Sequence, residues 1–139
     1  ELHSRVLMAE NHATIREVVE LIIQSVGVEL VCVENGAEAV EVSAEGGFDL
    51  ILMDMQMPVM DGLTATRAIR EREAVTGAPA IPILCLTANA LPEHIEASRA
   101  AGADSHLTKP ISASSLIGAV RAVVEAAAES EAAPERRRA

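Results

Sequence analysis

The sequence predicts an α/β protein built on a doubly wound, five-stranded parallel sheet. Two observations lead to this fold class. Short apolar runs alternate with segments of helical periodicity along most of the chain, and such alternation is typical of a parallel sheet with helices on both sides. The runs are also apolar on both faces, as the buried strands of parallel sheets are. The length of 139 residues fits one such domain.

Five runs are predicted as strands because each is short, mostly apolar and bounded by turn-forming residues. They cover Val6–Ala9, Glu29–Val33, Leu50–Met53, Ile81–Leu86 and Ser105–Leu107.

The first helix has the clearest pattern, an apolar stripe that returns every three or four residues. The stripe consists of Ile15, Val18, Val19, Ile22, Ile23 and Val26. Thr14 and Glu17 have the spacing of a capping box at the start of this helix, and Gly27 is expected to end it.

The four later helices are delimited by glycine, proline and serine. The second is predicted over about 37–44, before two glycines, and the third begins after Gly62 and runs to about Val75. The fourth begins near Pro92, which suits a first helical turn, and stops at Gly102. The fifth begins at Ser112 as its N-cap residue.

The domain is predicted to span residues 5–126, after an N-terminal extension of residues 1–4. Residues 127–139 are mostly Ala, Glu and Arg, which predicts a frayed helix end and a charged, flexible tail. The chain has no initiator Met, so it is left open whether it is a stand-alone protein or an excised part of a longer one.

Composition excludes several classes of function. The formal net charge of −10 argues against direct binding to nucleic acid or to an anionic membrane, both of which need basic surface. Phe48 is the only aromatic residue, which disfavours platforms that stack bases or flavins. Cys32 and Cys85 lie in apolar runs and are expected to be reduced, buried thiols. With no signal peptide or membrane-spanning run, the sequence predicts a cytoplasmic location.

Polar residues follow four of the predicted strands. Glu10 and Asn11 follow the first, Asp54 the third, Thr87 the fourth, and Lys109, the only lysine, the fifth. Ligands of open α/β sheets bind at the carboxyl ends of the strands, so these groups should converge. Two carboxylates suit a hard cation, and a hydroxyl and an ammonium suit the oxygens of an anion. Nucleotide-binding loops and nucleophile elbows are absent from the sequence.

These residues belong to four stretches with a familiar pattern. They read VLMAEN from Val6, FDLILMDMQMPVMDG from Phe48, IPILCLTANA from Ile81 and AGADSHLTKP from Ala101. In content, order and separation they resemble the receiver domain of two-component response regulators, particularly receivers attached to hybrid sensor histidine kinases. The resemblance covers about residues 5–125.

The resemblance implies a flavodoxin-like receiver fold with strand order 2-1-3-4-5, and a phosphorelay function. Asp54 would accept a phosphoryl group from the phosphohistidine of a histidine kinase or histidine phosphotransfer protein, with Mg²⁺ as cofactor. The chemistry would be self-directed, and a weak homodimer is left open. The implied metal ligands are Glu10, Asn11, Asp54 and the backbone carbonyl of Gln56, and the implied phosphoryl-binding and switch residues are Thr87 and Lys109. The Lys109–Pro110 peptide bond would be cis.

The sequence departs from this pattern at two positions. Asn11 stands where receivers normally carry a second acid, so one metal ligand would bring no charge. His106 stands where they usually carry a switching Tyr or Phe. Asn11 supports an alternative, a degenerate receiver that acts by protein binding without phosphorylation. A small α/β enzyme or flavin-binding protein is the third hypothesis, disfavoured by the lack of aromatic residues and of a phosphate-binding loop.

Overall fold

The computed structural model describes residues 5–88 and 91–132 as five strands alternating with five helices. The strands are β1 (Arg5–Ala9), β2 (Glu29–Val33), β3 (Leu50–Asp54), β4 (Ile83–Thr87) and β5 (Ser105–Thr108). The helices are α1 (Ala13–Gln24), α2 (Gly36–Ser43), α3 (Gly62–Thr76), α4 (Pro92–Ala101) and α5 (Ala113–Ala132).

All neighbouring strands of the sheet run parallel, in the order β2-β1-β3-β4-β5. The predicted fold class and strand order are therefore confirmed. The three central strands are almost wholly buried, whereas β2 and β5 at the edges are partly exposed. In register, Ala9 pairs with Met53, and Asp54 pairs with Leu86. The carboxyl ends of β1, β3 and β4 are therefore level with one another.

The core lies on both faces of the sheet because successive strand residues point to opposite sides. On one face, Val6, Met8 and Leu52 pack with residues of α1 and α5 such as Ile23 and Leu116. On the other face the buried residues are Leu7, Ala9, Ile51, Met53, Ile83 and Cys85 from the strands, with Ala39 of α2 and Ala65 and Ile69 of α3. The absence of polar residues from the middle of the three central strands β1, β3 and β4 follows from this two-sided burial.

The predicted ends of α2, α3 and α4 agree with the structure within about one residue, but both ends of α1 differ. Gly27 does not end this helix, because α1 stops at Gln24 with Ser25 as its C-cap residue. Ser112 precedes α5 and its hydroxyl accepts a hydrogen bond from the Ser115 N–H at 3.2 Å, as an N-cap residue does. The capping box at Thr14 is wrong, because α1 begins one residue earlier and Thr14 lies inside its first turn. The N-cap residue is His12, whose side chain makes no capping bond.

The two cysteines differ in exposure. Cys85 is buried on β4, where burial, with a contribution from the charge of Asp54, raises the pKa of its thiol to about 11. Cys32 is exposed, so the prediction that both thiols are buried is wrong for this one. The physical reason is that Cys32 lies on the edge strand β2, which has a neighbouring strand on one side only.

Helix α5 continues to Ala132, and residues 1–4 and the last seven residues of the predicted tail lie outside the described part of the chain. Among the described helices, none is long and apolar enough to cross a membrane.

An ionic network ties α3 to the loops that enter β4 and β5. Glu73 is buried, and its carboxylate accepts hydrogen bonds from Arg70 at 2.8 Å and from the Ile81 N–H at 2.9 Å. Asp104 accepts from Arg70 at 3.0 Å and from the Ile83 N–H at 2.8 Å. These bonds hold the start of β4 against α3, and so set where β4 ends at the opposite edge.

We expect Glu73→Ala to lower the free energy of unfolding by about 1–2 kcal/mol, because it leaves the partly buried Ile81 N–H without its acceptor and removes one of the acceptors of the Arg70 guanidinium. Chemical denaturation would measure the change. Glu71→Ala on an exposed position of the same helix is the matched control and should change stability by less than about 0.5 kcal/mol. Equal effects of the two substitutions would contradict a role for the network.

Candidate functional site

Four of the residues that were predicted to converge do so at the carboxyl edge of the sheet. Glu10 directly follows β1, Asp54 ends β3, Thr87 ends β4, and Lys109 directly follows β5. The sheet order makes β1, β3, β4 and β5 consecutive neighbours, so one residue from each strand end is enough to line a cleft. Main-chain bonds fix the positions of two of them: the Glu10 N–H donates to Val33 O at 3.1 Å, and the Lys109 N–H donates to Thr87 O at 2.7 Å.

Asp54 lies at the floor of this cleft and is only 3% exposed. Its Oδ1 accepts a hydrogen bond from Lys109 Nζ at 3.1 Å and from the Gln56 N–H at 3.3 Å. Its Oδ2 is buried and has no hydrogen-bond partner among the described residues. One oxygen of Asp54 is thus held in place while the other is available to a cation or to an electrophile.

Glu10 is completely buried beside Asp54. Its Oε2 lies 2.8 Å from His12 Nδ1 and 3.3 Å from the His12 backbone N–H. Its Oε1 lies 3.1 Å from Lys109 Nζ, which makes an ion pair, although the angle is not that of a hydrogen bond. Lys109 Nζ is therefore equidistant from the two carboxylates.

The two carboxyl groups have pKa values shifted in opposite directions. Burial and the nearby charge of Glu10 raise the pKa of Asp54, and Lys109 only partly offsets them. Burial also acts to raise the pKa of Glu10, but the hydrogen bond with His12 and the positive charge of Lys109 outweigh it, so this pKa is lowered. Glu10 is therefore the better stabilised anion. Asp54 carries a charge that the fold stabilises poorly, as expected for a group that gains from binding a cation.

The loop between β3 and α3 approaches the site closely enough to require glycine. A Cβ atom at Gly62 would overlap the backbone carbonyl of Asp54, and one at Gly36 would overlap the backbone carbonyl of Met60. The Gly62 N–H donates to Met55 O at 3.1 Å, which folds the loop back against the end of β3. Asp61 is the N-cap residue of α3, and its side chain accepts a hydrogen bond from the Thr64 N–H at 2.8 Å.

The cleft has a volume of about 320 Å³. Of the residues predicted from the sequence, Asp54, Gln56, Thr87 and Lys109 line it, and Glu10 lies buried beside Asp54 and Lys109. The other lining residues are His12, Met55, Asp61, Leu63, Ala88 and His94. The structure does not place Asn11 or His106 among the lining residues.

Asn11 is exposed at the end of β1. His106 is half-buried on β5 and lines a separate small cavity with Ser98, Arg99 and Asp104. The roles of Asn11 and His106 as metal ligand and switch residue therefore stay predictions. The Lys109–Pro110 peptide bond is cis, as the resemblance implied.

Sequence reasoning missed His12 as a member of the site. The sequence feature that could have identified it is its position two residues after Glu10, close to the carboxyl end of β1. No two histidines in the sequence have the spacing of a metal-ligand pair, whereas His12 groups in space with the carboxylates of Glu10 and Asp54. One ligand atom from each of these three residues lies within 4.8 Å of the others.

The residues of the cleft fit a divalent cation such as Mg²⁺. Two buried carboxylates face one ammonium, so negative charge is in excess, and Asp54 Oδ2 is a buried oxygen without a partner among the described residues. Mg²⁺ is commonly bound through one or two carboxylates and retains several waters. Glu10 and Asp54 supply such a pair.

Comparison with known proteins decides the family. The profile of the response regulator receiver domain matches residues 6–121. The chain belongs to this receiver family. It therefore contains a receiver domain of the kind that two-component systems use, and it has the receiver fold.

Curated relatives of the receiver domain include sensor and sensory/regulatory proteins. The sensor protein GacS of Pseudomonas syringae pv. syringae is 42% identical over 108 residues, which are 78% of this chain and 12% of that protein. The sensory/regulatory protein RpfC of Xanthomonas campestris is 32% identical over 113 residues, or 81% of this chain and 15% of that protein. The receiver domain thus spans only a small part of these relatives.

Two solved structures are informative about the cleft. The receiver domain of a sensor histidine kinase from Pseudomonas aeruginosa PAO1, solved with a magnesium ion coordinated in its active site cleft, has a TM-score of 0.80 and 32% identity over 89% of this chain and 99% of that one. A co-crystal structure of the Saccharomyces cerevisiae histidine phosphotransfer signaling protein Ypd1 with the receiver domain of Ssk1 gives a TM-score of 0.79 and 29% identity over 82% of this chain and 83% of that one.

Proposed function

We propose that this receiver domain accepts a phosphoryl group onto Asp54 from the phosphohistidine of a histidine kinase or a histidine phosphotransfer protein. The reaction belongs to a cytoplasmic two-component phosphorelay, uses Mg²⁺, and drives a change in conformation through Thr87 and Lys109. The observation that carries this proposal is the buried Asp54 carboxylate, whose Oδ1 is held by Lys109 while Oδ2 has no partner in the described part of the chain. The magnesium-bound and Ypd1-bound neighbours support the choice of cation and partner.

The reaction is a transfer between two nucleophiles. A carboxylate oxygen of Asp54 attacks phosphorus, the P–N bond to the donor imidazole breaks, and its electron pair returns to the imidazole nitrogen. The products are an acyl phosphate on Asp54 and, after proton exchange between the imidazole and water, a neutral donor histidine. Both the carboxylate and the phosphoryl oxygens are negative, so positive charge in the cleft decides the rate.

Each side chain of the cleft has a distinct task in this transfer. Lys109 holds Asp54 Oδ1 and keeps the carboxylate oriented, and its ammonium is available to an oxygen of the incoming group. Glu10 keeps Lys109 in place and, with Asp54, would hold Mg²⁺, together with the Gln56 carbonyl and Asn11 if their predicted roles are correct. Mg²⁺, when bound, would supply the positive charge that offsets repulsion between the anions.

Thr87 connects the chemistry to a change in shape. It is buried at the end of β4, and its carbonyl accepts the hydrogen bond of the Lys109 N–H. A phosphoryl oxygen on Asp54 would offer the Thr87 hydroxyl a charged acceptor, and a movement of Thr87 toward it would pull on the backbone that carries Lys109. His106 is proposed as a further switch residue on β5, next to Cys85 of β4 in register.

The direct test uses the isolated protein with Mg²⁺ and a small-molecule phosphodonor or beryllofluoride. We expect amide chemical shifts to change around Asp54 and Thr87, and a phosphodonor to add one phosphoryl group that is labile in base. A protein that shows neither response would support the alternative, a degenerate receiver that works by protein binding alone. Asn11, which brings no charge to the cation site, is the observation that favours this alternative.

Asn11→Asp tests the degenerate-receiver alternative by restoring the acid that receivers normally carry at this position. The substitution adds one negative charge beside Glu10, and we expect it to tighten Mg²⁺ binding by up to about tenfold, with slightly lower stability in the absence of metal. Calorimetric titration with Mg²⁺ would measure the affinity. Asn35→Asp, which adds the same charge at the N-cap of α2, should leave the affinity unchanged. Equal affinities of wild type and Asn11→Asp would remove the basis for a degenerate receiver.

A further inference from the structure

His12 occupies a position that its role at the start of α1 does not explain. It is the N-cap residue of α1, yet its side chain makes no capping hydrogen bond. Its ring turns back toward the cleft instead, and Nδ1 lies 2.8 Å from Glu10 Oε2 although 61% of the side chain is exposed. The orientation of the imidazole is therefore set by the carboxylate cluster.

The spacing of the cluster suits one metal ion. Ligand atoms of Glu10, His12 and Asp54 all lie within 4.8 Å of one another. Two ligands on opposite sides of an octahedral ion are about 4.2 Å apart, given ligand distances of about 2.1 Å, and adjacent ligands are about 3 Å apart. Small side-chain movements would thus bring all three groups into one coordination sphere.

A second observation concerns the buried oxygens of the cluster, of which Glu10 Oε1 forms an ion pair with the Lys109 ammonium at 3.1 Å. Asp54 Oδ2 and Glu10 Oε1 are buried oxygens without hydrogen bonds among the described residues. Both belong to side chains that are at least nine-tenths buried, next to the exposed imidazole. An ion here would therefore be bound by two carboxylates from inside the protein and by a nitrogen from the solvent side.

We propose that His12 is a nitrogen ligand of the cation in this cleft, and that it shifts the preference of the site from Mg²⁺ toward first-row divalent transition metals. This inference rests on the proposed function only in placing a cation between Glu10 and Asp54. Mg²⁺ prefers oxygen ligands, whereas imidazole favours ions such as Ni²⁺, Fe²⁺ and Zn²⁺. The exposed Asn11 adds no charge that would favour the harder ion.

Calorimetric titrations with Mg²⁺, Mn²⁺ and Ni²⁺ at one fixed pH would test the assignment. The critical variant is His12→Asn, because the Asn amide can still donate to Glu10 but cannot act as an imidazole ligand. We expect this substitution to weaken Ni²⁺ binding about tenfold or more and to change Mg²⁺ affinity less than about twofold. His94→Asn removes another histidine that lines the cleft but lies outside the cluster, and it should alter neither affinity.

Pulsed electron paramagnetic resonance of the Mn²⁺-loaded protein detects nitrogen bound directly to the metal. This signal would not change if His12 only positioned Glu10. We expect the nitrogen modulation of a bound imidazole in wild type and in His94→Asn, and its loss in His12→Asn. An equal loss of Ni²⁺ and Mg²⁺ affinity in His12→Asn would show that His12 only positions Glu10, and would overturn the proposal. Unchanged Ni²⁺ affinity, an equal effect of His94→Asn, or the absence of metal binding by wild type would overturn it too.

These outcomes are separate from those of phosphorylation. A protein that takes up phosphate with Mg²⁺ but shows no nitrogen ligation would retain the proposed function and lose this inference. A protein that binds Ni²⁺ through His12 but is never labelled at Asp54 would retain the inference and lose the proposed function.

Discussion

Asp54→Asn is expected to reduce phosphoryl uptake to background. Asn keeps the shape of the side chain but removes the anionic nucleophile, and Asp54 is the only acid at the end of β3. Intact-mass measurement after incubation with phosphodonor and Mg²⁺ would detect the added group. The control is Asp49→Asn, one residue before the start of β3. Asn at this position can still accept the hydrogen bond from the Arg5 N–H. Undiminished labelling of Asp54→Asn would contradict the assignment of the acceptor.

The same substitution should make the metal-free protein more stable at neutral pH, by about 1 kcal/mol. Burial and the charge of Glu10 raise the pKa of Asp54 in the folded state, so its ionised form opposes folding. Because the pKa of Asp54 is raised by folding, the folded wild type takes up a proton on this carboxylate more readily than the unfolded chain does. The free energy of unfolding of the wild type therefore increases relative to that of the variant as the pH falls through the raised pKa. Denaturation at neutral and acidic pH should accordingly show a difference that is largest at neutral pH and shrinks in acid.

Lys109→Ala is expected to have the largest effect on stability. Its ammonium lies 3.1 Å from both buried carboxylates, and removal of one partner from a buried ion pair costs about 3–5 kcal/mol. If the variant folds, the shift of the Thr87 amide on addition of phosphodonor should be lost, because the phosphoryl charge is left without its cation. Denaturation and amide chemical shifts would measure the two effects.

A double variant distinguishes loss of stability through carboxylate repulsion from a general failure of Lys109→Ala to fold. Adding Asp54→Asn to Lys109→Ala removes one of the two carboxylates that the first substitution leaves unpaired, so part of the lost stability should return. Lys109→Ala with wild-type stability and the full donor-induced shift at Thr87 would contradict the role of the ammonium. A double variant no more stable than Lys109→Ala would show that the lost stability does not come from carboxylate repulsion.

Much of the fold could be read from local sequence because parallel strands buried on both faces leave a strong pattern. The bounds of β2 were predicted as observed, and β3 and β5 differ by one residue at their ends. Asp54, Thr87 and Lys109 were found because each follows an apolar run and so had to lie at the carboxyl edge. Strand order came from the family resemblance and not from periodicity, which carries no information about which strands are neighbours.

The errors occurred where a residue's environment depends on other parts of the chain. Thr14 and Glu17 have capping-box spacing, but α1 begins at Ala13, and the residue before it, His12, is hydrogen-bonded to Glu10. Val18 belongs to the apolar stripe of α1 and yet is 45% exposed, since the sheet and α5 cover only part of that face. Cys32 is exposed for a similar reason, because β2 is an edge strand.

The sequence by itself determined the alternation of strands and helices, and it was enough to place the Asp54 carboxylate, the Thr87 hydroxyl and the Lys109 ammonium at the carboxyl edge of the sheet. Each of these depends on residue type and on position along a strand, and both can be read from the chain. Only the tertiary structure decided that the ring of His12 contacts the carboxylate of Glu10 and lines the cleft, whereas its neighbour Asn11 does not line it. Adjacent residues at a strand end point in different directions, and which of them meets a carboxylate is decided by the packing of α1 on the sheet.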